Sequence, residues 1–145
     1  MTRAAREDDE SCIFCAPAGP DAGLVVHRGR LSFVILNLYP YNNGHLMAVP
    51  NRHVADLAGT TAEERAELID LTRLSEMALG EAYRPHGINV GINLGRPAGA
   101  GVLNHLHIHL VPRWNGDTNF MPVLADTRVM PEAMNEVYQK LKAAL

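Results

Sequence analysis

Short apolar segments that are typical of β-strands occur at intervals along the chain. Residues 24–28 and 31–38 are apolar and β-branched, and only Gly29 and Arg30 separate them, which predicts a hairpin with a two-residue connection. Similar segments predict three further strands, over residues 45–50, 88–94 and 105–111. The pattern therefore predicts a sheet of five strands.

The segment between the third and fourth strands has the periodicity of a long helix. Thr61 and Glu64 have the spacing of a capping box, which predicts the start of a helix over residues 60–83. Pro85 cannot continue helical hydrogen bonding and predicts the end of that helix. The positions expected to face the core are Leu68, Leu71, Ser75 and Ala78, with Leu74 and Met77 beside them.

The C-terminal residues 131–145 predict a second helix, with Pro131 in its first turn. Strands thus precede and follow one long helix without a regular alternation of strand and helix. We therefore expect an α+β domain, in which an antiparallel sheet carries helices on one face. Residues 11–145 are expected to form this single domain, and the charged residues 1–10 a mostly disordered leader.

Composition narrows the range of partners. The chain has 145 residues, of which 47% are hydrophobic and 20% charged, and its formal net charge is −3. Nucleic acid is therefore not a favoured partner on charge grounds. No apolar run approaches the roughly 18 residues that a membrane span needs, and the N-terminus lacks the apolar stretch of a secretory signal. We expect a cytoplasmic protein that binds neither membranes nor nucleic acid.

The sequence NHLHIHLVPRW, residues 104–114, places three of the seven histidines at alternate positions. Because side chains alternate between the faces of a strand, His105, His107 and His109 are expected on one face and the intervening apolar residues in the core. Burial of three imidazoles is costly unless each has a partner. Two chemistries are compatible with this arrangement, namely metal ligation and nucleophilic attack by a neutral ring nitrogen.

Cys12 and Cys15 are the only two cysteines, and their spacing is that of a zinc knuckle or of a redox pair. Zinc is favoured because no thioredoxin-like β-α-β pattern surrounds the pair. His53, just beyond the third predicted strand, and His105 would complete a Cys2His2 set, so we expect a structural zinc site. His107 then remains for chemistry, and we expect a backbone carbonyl to fix its tautomer.

The segments HLHIHLV, CIFC, PYNNGHLMAVP and GINLGRPAGAG together resemble the histidine-triad (HIT) superfamily of nucleotide hydrolases and transferases. The residues around the triad are most similar to the bacterial fragile-histidine-triad and diadenosine polyphosphate hydrolase or phosphorylase branch. The resemblance implies a homodimer whose two sheets pair edge to edge. It also implies double displacement at the α-phosphorus of an adenine nucleotide, through a nucleotidyl-histidine intermediate that water or phosphate resolves.

The same resemblance implies roles for individual positions. His107 corresponds to the nucleophile, His45 to a supporting histidine and His109 to the histidine closest to the phosphates. Asn37 corresponds to a ribose-binding residue and Asn93 to a phosphate-binding amide. The remaining implied nucleotide contacts are Gly99 and Gly101 in a phosphate-binding loop, and Ile13, Phe14 and Leu36 around the adenine ring.

Three functional hypotheses follow from these residues. The first is a nucleotidyl-histidine hydrolase or transferase acting on dinucleotides, with a nucleoside phosphoramidase or a diadenosine tetraphosphate phosphorylase as variants of it. The second is a nucleotide-binding module with little turnover. The third is a metalloenzyme that uses the three alternate histidines as ligands; it requires a nearby acidic ligand, for which Asp117 is the nearest candidate.

Overall fold

The structure of the protein is a computed structural model, which describes residues 12–15, 23–37, 44–95, 98, 104–117 and 133–145. The strands are β1 (Val25–Arg28), β2 (Ser32–Leu36), β3 (Leu46–Pro50), β4 (Gly87–Ile92) and β5 (Ile108–Arg113). The helices are α1 (Ala62–Tyr83), between β3 and β4, and α2 (Met134–Ala144), near the C-terminus. The predictions for residues 1–10, Gly99, Gly101 and Pro131 fall outside the described residues.

The five strands form one antiparallel sheet in the order β1-β2-β3-β5-β4. β5 therefore lies between β3 and β4, although it is the last of the described strands in the chain. α1 packs against β2, β3 and β5, and α2 packs against α1 and β1. The structure confirms the predicted α+β class, with a five-stranded antiparallel sheet, one long helix and a C-terminal helix.

Several element boundaries differ from the predicted ones by one to three residues; β4, for example, ends at Ile92 rather than at residue 94. The hairpin connection has three residues, 29–31, because the Gly29 N–H donates to the Ser32 carbonyl at 2.8 Å and the turn closes there. α2 begins at Met134, later than the predicted start at residue 131. None of these differences changes the topology.

The start of β5 is a larger difference. β5 begins at Ile108 rather than at the predicted His105. The reason is that the Leu106 N–H donates to the Val54 carbonyl at 2.7 Å, and Val54 lies in the loop after β3 rather than in a neighbouring strand. The residues before Ile108 thus form an irregular segment that is tied to this loop.

α1 begins at the predicted capping box. The Thr61 hydroxyl accepts from the Glu64 N–H at 3.1 Å, and the Glu64 carboxylate accepts from the Thr61 N–H at 2.9 Å. The helix ends at Tyr83, and the capping residue Arg84 has a left-handed backbone (φ 47°) and precedes Pro85. Met77 is 56% exposed, so its predicted place beside the core is wrong. The buried stripe contains Leu68, Leu71, Ser75, Ala78 and Leu79, and it passes to one side of Met77.

Both faces of β2 and β3 are buried, so an apolar cluster lies on each side of the sheet. The helix-side core contains Val26, Val34, Leu36, Leu46, Ala48, Leu106, Ile108 and Leu110 together with apolar residues of both helices. The histidine-side cluster consists of Phe14, Val25, Phe33, Ile35, Met47 and Val49. Met47 pairs in register with His109, which places this second cluster on the face of the histidines. Neither described helix is long and apolar enough to cross a membrane.

Candidate functional site

Residues 104–113 carry the alternate histidines, first as an irregular segment and then as β5. Asn104 starts the segment with a left-handed backbone (φ 64°), a conformation that asparagine adopts more readily than most residues. His105 and His107 are 1% and 4% exposed, and His109 is partly buried. The apolar residues between them, Leu106, Ile108 and Leu110, lie in the helix-side core. The predicted division between two faces is confirmed, although only His109 lies within the strand.

His107 has a defined tautomer. Its Nδ1 lies 3.0 Å from the backbone carbonyl oxygen of His105, which is the kind of acceptor expected from the sequence. Because a carbonyl oxygen only accepts, Nδ1 carries the proton, and a neutral ring then has its lone pair on Nε2. Burial lowers the pKa of His107, and the hydrogen bond to the carbonyl opposes this only in part. The ring is therefore mainly neutral at about pH 7, as a nucleophile must be.

His45 connects Asn37 to His109, and we call these three residues the relay. Asn37 Nδ2 lies 3.1 Å from His45 Nδ1, and His45 Nε2 lies 2.9 Å from His109 Nδ1. Burial, with smaller contributions from the neighbouring histidines, lowers the pKa values of His45 and His109 to about 4 each. The centroids of the His107 and His109 rings are 4.6 Å apart. The relay thus ends directly beside the candidate nucleophile.

Cys12, Cys15, His53 and His105 form a second cluster. Their ligand atoms all lie within 4.8 Å of one another. The Cys15 sulphur lies 2.9 Å from His53 Nδ1, and His105 Nδ1 lies 3.3 Å from the sulphur of Cys12 and 3.4 Å from that of Cys15. Two thiolates and two imidazole nitrogens are a common donor set of structural zinc sites. The four residues expected from the sequence are therefore together, and they could hold a metal ion.

His105 is a member of the metal cluster and also contacts His107. Its Nε2 lies 2.8 Å from the Pro50 carbonyl oxygen, so Nε2 donates and a neutral ring turns the Nδ1 lone pair towards the two sulphurs. A carbonyl partner of this kind orients ligand histidines in many metal sites. The backbone carbonyl of the same residue accepts from His107. One residue therefore joins the candidate metal site to the candidate nucleophile.

Phe14 is a second link between the metal cluster and His107. It lies between Cys12 and Cys15 in the CIFC segment and is only 1% exposed. Its ring meets the His105 ring edge-on at a centroid distance of 5.5 Å, and it is tilted against the His107 ring at 5.2 Å. The cysteine segment thus places an aromatic ring against the candidate nucleophile, His107.

One predicted nucleotide contact lies on the wrong face. Leu36 is buried in the helix-side core and pairs with Leu46, so it faces away from the histidines and its predicted contact with adenine is wrong. The neighbouring Ile35 belongs to the histidine-side cluster and pairs with Met47, which itself pairs with His109. Sequence reasoning missed Ile35 because both faces of this strand are apolar, and alternation alone does not distinguish them.

The other predicted contacts have varied positions. Ile13 is 48% exposed at the tip of the cysteine segment. Asn93 is exposed and directly follows β4, and extending the β4–β5 register by one residue places it opposite His107. Gly99 and Gly101 belong to the part of the chain that the structure does not describe.

Arg52 and Glu64 anchor the loop that carries His53, and sequence reasoning missed this role. Arg52 donates to the Glu64 carboxylate at 2.7 Å and 3.3 Å, and to the Gly59 carbonyl at 2.7 Å. The hydrogen bond from Arg52, followed by the backbone hydrogen bond from Thr61, lowers the pKa of Glu64 to about 2. The capping box marked Glu64 in the sequence, but no local pattern joins it to Arg52.

The chain matches known proteins in sequence and in fold. A family model described as HIT domain matches residues 21–116. The AP-4-A phosphorylase of Mycobacterium tuberculosis is 46% identical over 121 residues, which are 83% of this chain and 62% of that protein. The bis(5'-nucleosyl)-tetraphosphatase (asymmetrical) of Schizosaccharomyces pombe is 32% identical over 98 residues, which are 68% of this chain and 53% of that protein. The chain thus spans less than two thirds of either relative.

A solved structure shares the fold over almost the whole chain. The crystal structure of a Zn-bound histidine triad family protein from Mycobacterium smegmatis has a TM-score of 0.75 and 27% sequence identity, and the match covers 94% of each chain. A metal ion is therefore compatible with this fold. Among the described residues of the present chain, the group of side chains that could hold a metal ion is the Cys2His2 cluster.

Proposed function

The chain belongs to the HIT domain family, and we propose that it is an enzyme that cleaves adenine dinucleotides such as diadenosine polyphosphates at an α-phosphate. His107 acts as the nucleophile and forms a nucleotidyl-histidine intermediate. The observation that carries this proposal is the hydrogen bond from His107 Nδ1 to the His105 carbonyl, which puts the lone pair of a buried neutral ring on Nε2. The named relatives, a phosphorylase and a tetraphosphatase, support the substrate class.

The reaction has two displacement steps. In the first, His107 Nε2 attacks the α-phosphorus; a P–N bond forms, and the P–O bond to the rest of the dinucleotide breaks, with its electron pair leaving on the phosphate oxygen. In the second, water or inorganic phosphate attacks the same phosphorus, the P–N bond breaks and Nε2 regains its lone pair. The ring is positively charged in the intermediate, and the His105 carbonyl stabilises it through Nδ1–H.

We propose that the nucleotide lies across the histidine face. Asn37 contacts the ribose, and Asn93 contacts the phosphates together with Gly99 and Gly101. Asn93 is supported by its position in the β4–β5 register. The adenine ring packs against apolar side chains of this face, and we assign this contact to Ile13, Phe14 and Ile35, in place of Leu36.

We propose that Cys12, Cys15, His53 and His105 bind a structural zinc ion. The donor set, the mutual distances and the carbonyl partner of His105 support zinc in this position. When bound, the ion contributes its coordination energy to folding and ties the cysteine segment to the sheet. The histidines His107 and His109 take no part in the metal cluster among the described residues, which favours a nucleophilic role for His107 over the metalloenzyme alternative.

We also propose that two copies of the chain, each a single domain over residues 11–145, pair through their β4 edges in the cytoplasm. β4 is an edge strand of the sheet, and Val90 and the following Leu94 are 52% and 45% exposed. An unpaired edge with apolar side chains is a ready template for another strand. Light scattering is expected to give the mass of a dimer, and Val90→Lys is expected to lower it towards that of a monomer. A monomeric unmodified protein would contradict this arrangement.

The experiment that tests the activity is incubation with diadenosine tetraphosphate, with and without inorganic phosphate. AMP plus ATP indicates asymmetric hydrolysis, and ADP plus ATP that forms only with phosphate indicates phosphorolysis. Adenosine 5'-phosphoramidate is assayed in parallel, because AMP from this compound alone would reassign the enzyme as a phosphoramidase. The absence of products from all three incubations would leave the nucleotide-binding module as the better account.

The nucleophile is tested by substitution. His107→Asn is expected to abolish turnover, and the acid-labile nucleotidyl-histidine adduct should no longer be trapped during the reaction. AMP binding should persist, since asparagine keeps a polar group but has no ring nitrogen for attack. His86→Asn is the matched control, because His86 is an exposed histidine away from the site. Turnover in His107→Asn equal to that of the control would reject the proposed nucleophile.

A further inference from the structure

We propose that Asn37 is a positioning residue that fixes the tautomer of His109 through His45, so that His109 presents an Nε2–H donor beside the nucleophile. The proposed function gives this tautomer its catalytic meaning. The tautomer itself is a property of the protein alone and is measurable without substrate.

The donor and acceptor of each hydrogen bond in the relay follow from its first hydrogen bond, between Asn37 and His45. The group of Asn37 that lies 3.1 Å from His45 Nδ1 is the amide nitrogen, which only donates. His45 Nδ1 therefore accepts, and the proton of a neutral His45 ring is on Nε2. That Nε2–H donates to His109 Nδ1 at 2.9 Å, so the proton of a neutral His109 ring is on its own Nε2.

The backbone holds the relay in register. The Asn37 N–H donates to the His45 carbonyl at 2.9 Å, which continues the pairing of β2 with β3 by one residue beyond Leu36 and Leu46. Asn37 and His45 thus face the same side of the sheet as Met47 and its register partner His109. The side chains meet because strand pairing places them side by side.

Both relay histidines are neutral over the range in which the relay operates. Burial disfavours the charged form of each ring, and the titratable groups that act on them are His107 and, for His45, also His109. A neutral imidazole has one N–H and one lone pair. The relay therefore has only two consistent protonation patterns, and the Asn37 amide determines which one forms.

The protonation of the His109 ring nitrogens complements that of the His107 ring nitrogens. The His105 carbonyl gives His107 a lone pair on Nε2, and Asn37 gives His109 a proton on Nε2, in rings whose centroids are 4.6 Å apart. A phosphoryl group bound to His107 has anionic oxygens that an adjacent N–H can stabilise. In the opposite tautomer, His109 would present a lone pair to those oxygens. Removal of one such donor typically costs about 100-fold to 1,000-fold in kcat.

The first test is direct observation of the tautomer. Ring 15N and 13C NMR of the zinc-supplemented full-length protein, recorded without nucleotide at about pH 8, where a histidine of ordinary pKa is neutral, distinguishes protonated from unprotonated ring nitrogens. The expected result for His109 is a protonated Nε2 and an unprotonated Nδ1. The reverse assignment would overturn the proposal, whatever the enzyme turns out to cleave.

The second test reverses the relay with an isosteric variant. Aspartate in Asn37→Asp only accepts, so it requires a proton on His45 Nδ1; once the His45 ring is neutral, His45 Nε2 accepts and the His109 proton moves to Nδ1. The pH of the NMR sample is raised until the His45 signals show the neutral ring. A His109 ring that still carries its proton on Nε2 at that point would overturn the proposal.

Catalysis provides a readout that a merely structural role would not change. At low pH the aspartate keeps His45 doubly protonated, which leaves the proton of His109 on Nε2. The kcat of Asn37→Asp is therefore expected to fall about 100-fold as pH rises through the His45 pKa, with a much smaller change in KM. The unmodified protein and the control Asn115→Asp, an exposed asparagine away from the site, should lack this fall. Parallel kcat profiles for all three would contradict the positioning role.

Discussion

Replacement of Phe14 by alanine tests whether the cysteine segment and His107, the proposed nucleophile, form one packed unit. Phe14 is 1% exposed, and its ring contacts both His105 and His107. Loss of a buried phenylalanine side chain costs about 3–5 kcal/mol of folding free energy, and each of the two ring contacts can contribute about 0.5–1.5 kcal/mol to that loss. Because domains have total stabilities of about 5–15 kcal/mol, we expect Phe14→Ala to lose about a fifth of its stability or more.

The same substitution should impair catalysis without changing the ligand set. The two cysteines that flank Phe14 remain, so zinc binding to the folded protein is expected to persist. The His107 ring loses a packing partner, and we expect kcat to fall by about 10-fold or more, the factor that corresponds to about 1.4 kcal/mol of lost positioning. Urea unfolding, metal analysis and turnover of diadenosine tetraphosphate measure the three effects separately.

The matched control is Ile13→Ala, since Ile13 occupies the same segment but is 48% exposed. It should lose less than about 1 kcal/mol, because truncation of an exposed side chain removes little buried area. A stability loss in Phe14→Ala no larger than that of Ile13→Ala would refute the reasoning. Unchanged kcat in Phe14→Ala would show that its ring does not hold the nucleophile, even if the stability loss is as large as expected.

Three further predictions concern zinc binding and the pH dependence of stability. Cys12→Ser is expected to lose bound zinc and to melt at a lower temperature, because a thiolate ligand is removed; undiminished metal content would reject this site. Burial lowers the pKa values of His45 and His109 to about 4 from 6.5, so the unfolded chain binds more protons than the folded protein between pH 4 and pH 6.5. The free energy of unfolding, measured with urea, should therefore fall as pH falls from about 6.5 to about 4. A free energy that does not change over this range would contradict the burial of the two histidines. Glu64, with its pKa lowered to about 2 from 4.5, adds a loss over that lower range. Arg52→Leu should remove most of that loss, because its hydrogen bond is the largest cause of the lowered pKa of Glu64. An unchanged loss of stability at low pH would show that Arg52 does not hold Glu64.

The arrangement of the candidate site was predictable where residues close together in the sequence determine it. Alternation placed His107 and His109 on one face, and the spacing of Cys12 and Cys15 indicated a metal knuckle. The acceptor that fixes the tautomer of His107 is also local, since it belongs to a residue only two positions earlier. Patterns that span a few residues reflect the geometry of a single element, and a sequence records them directly.

What the sequence did not reveal depends on which face of an element meets which partner. Leu36 and Ile35 are both apolar and both buried, and only the pairing of β2 with β3 shows that Ile35 faces the histidines. The contact between Asn37 and His45 arises from the same register, eight positions apart in the chain. The attachment of the His53 loop by Arg52 depends on where α1 packs. Tertiary packing decides such contacts, and no local periodicity encodes them.

The position of β5 in the sheet also has a consequence for how the protein folds. β4 has no partner other than β5 in the described sheet, and β5 is synthesised after the other four strands of that sheet. A nascent chain that ends before residue 104 therefore exposes the open sides of β3 and β4, which is a risk for aggregation. Insertion of β5 must close long loops and should be a slow step of folding. His109 therefore reaches His45 only when β5 inserts into the sheet. A chain trapped before that step would be prone to aggregation and would lack the assembled site.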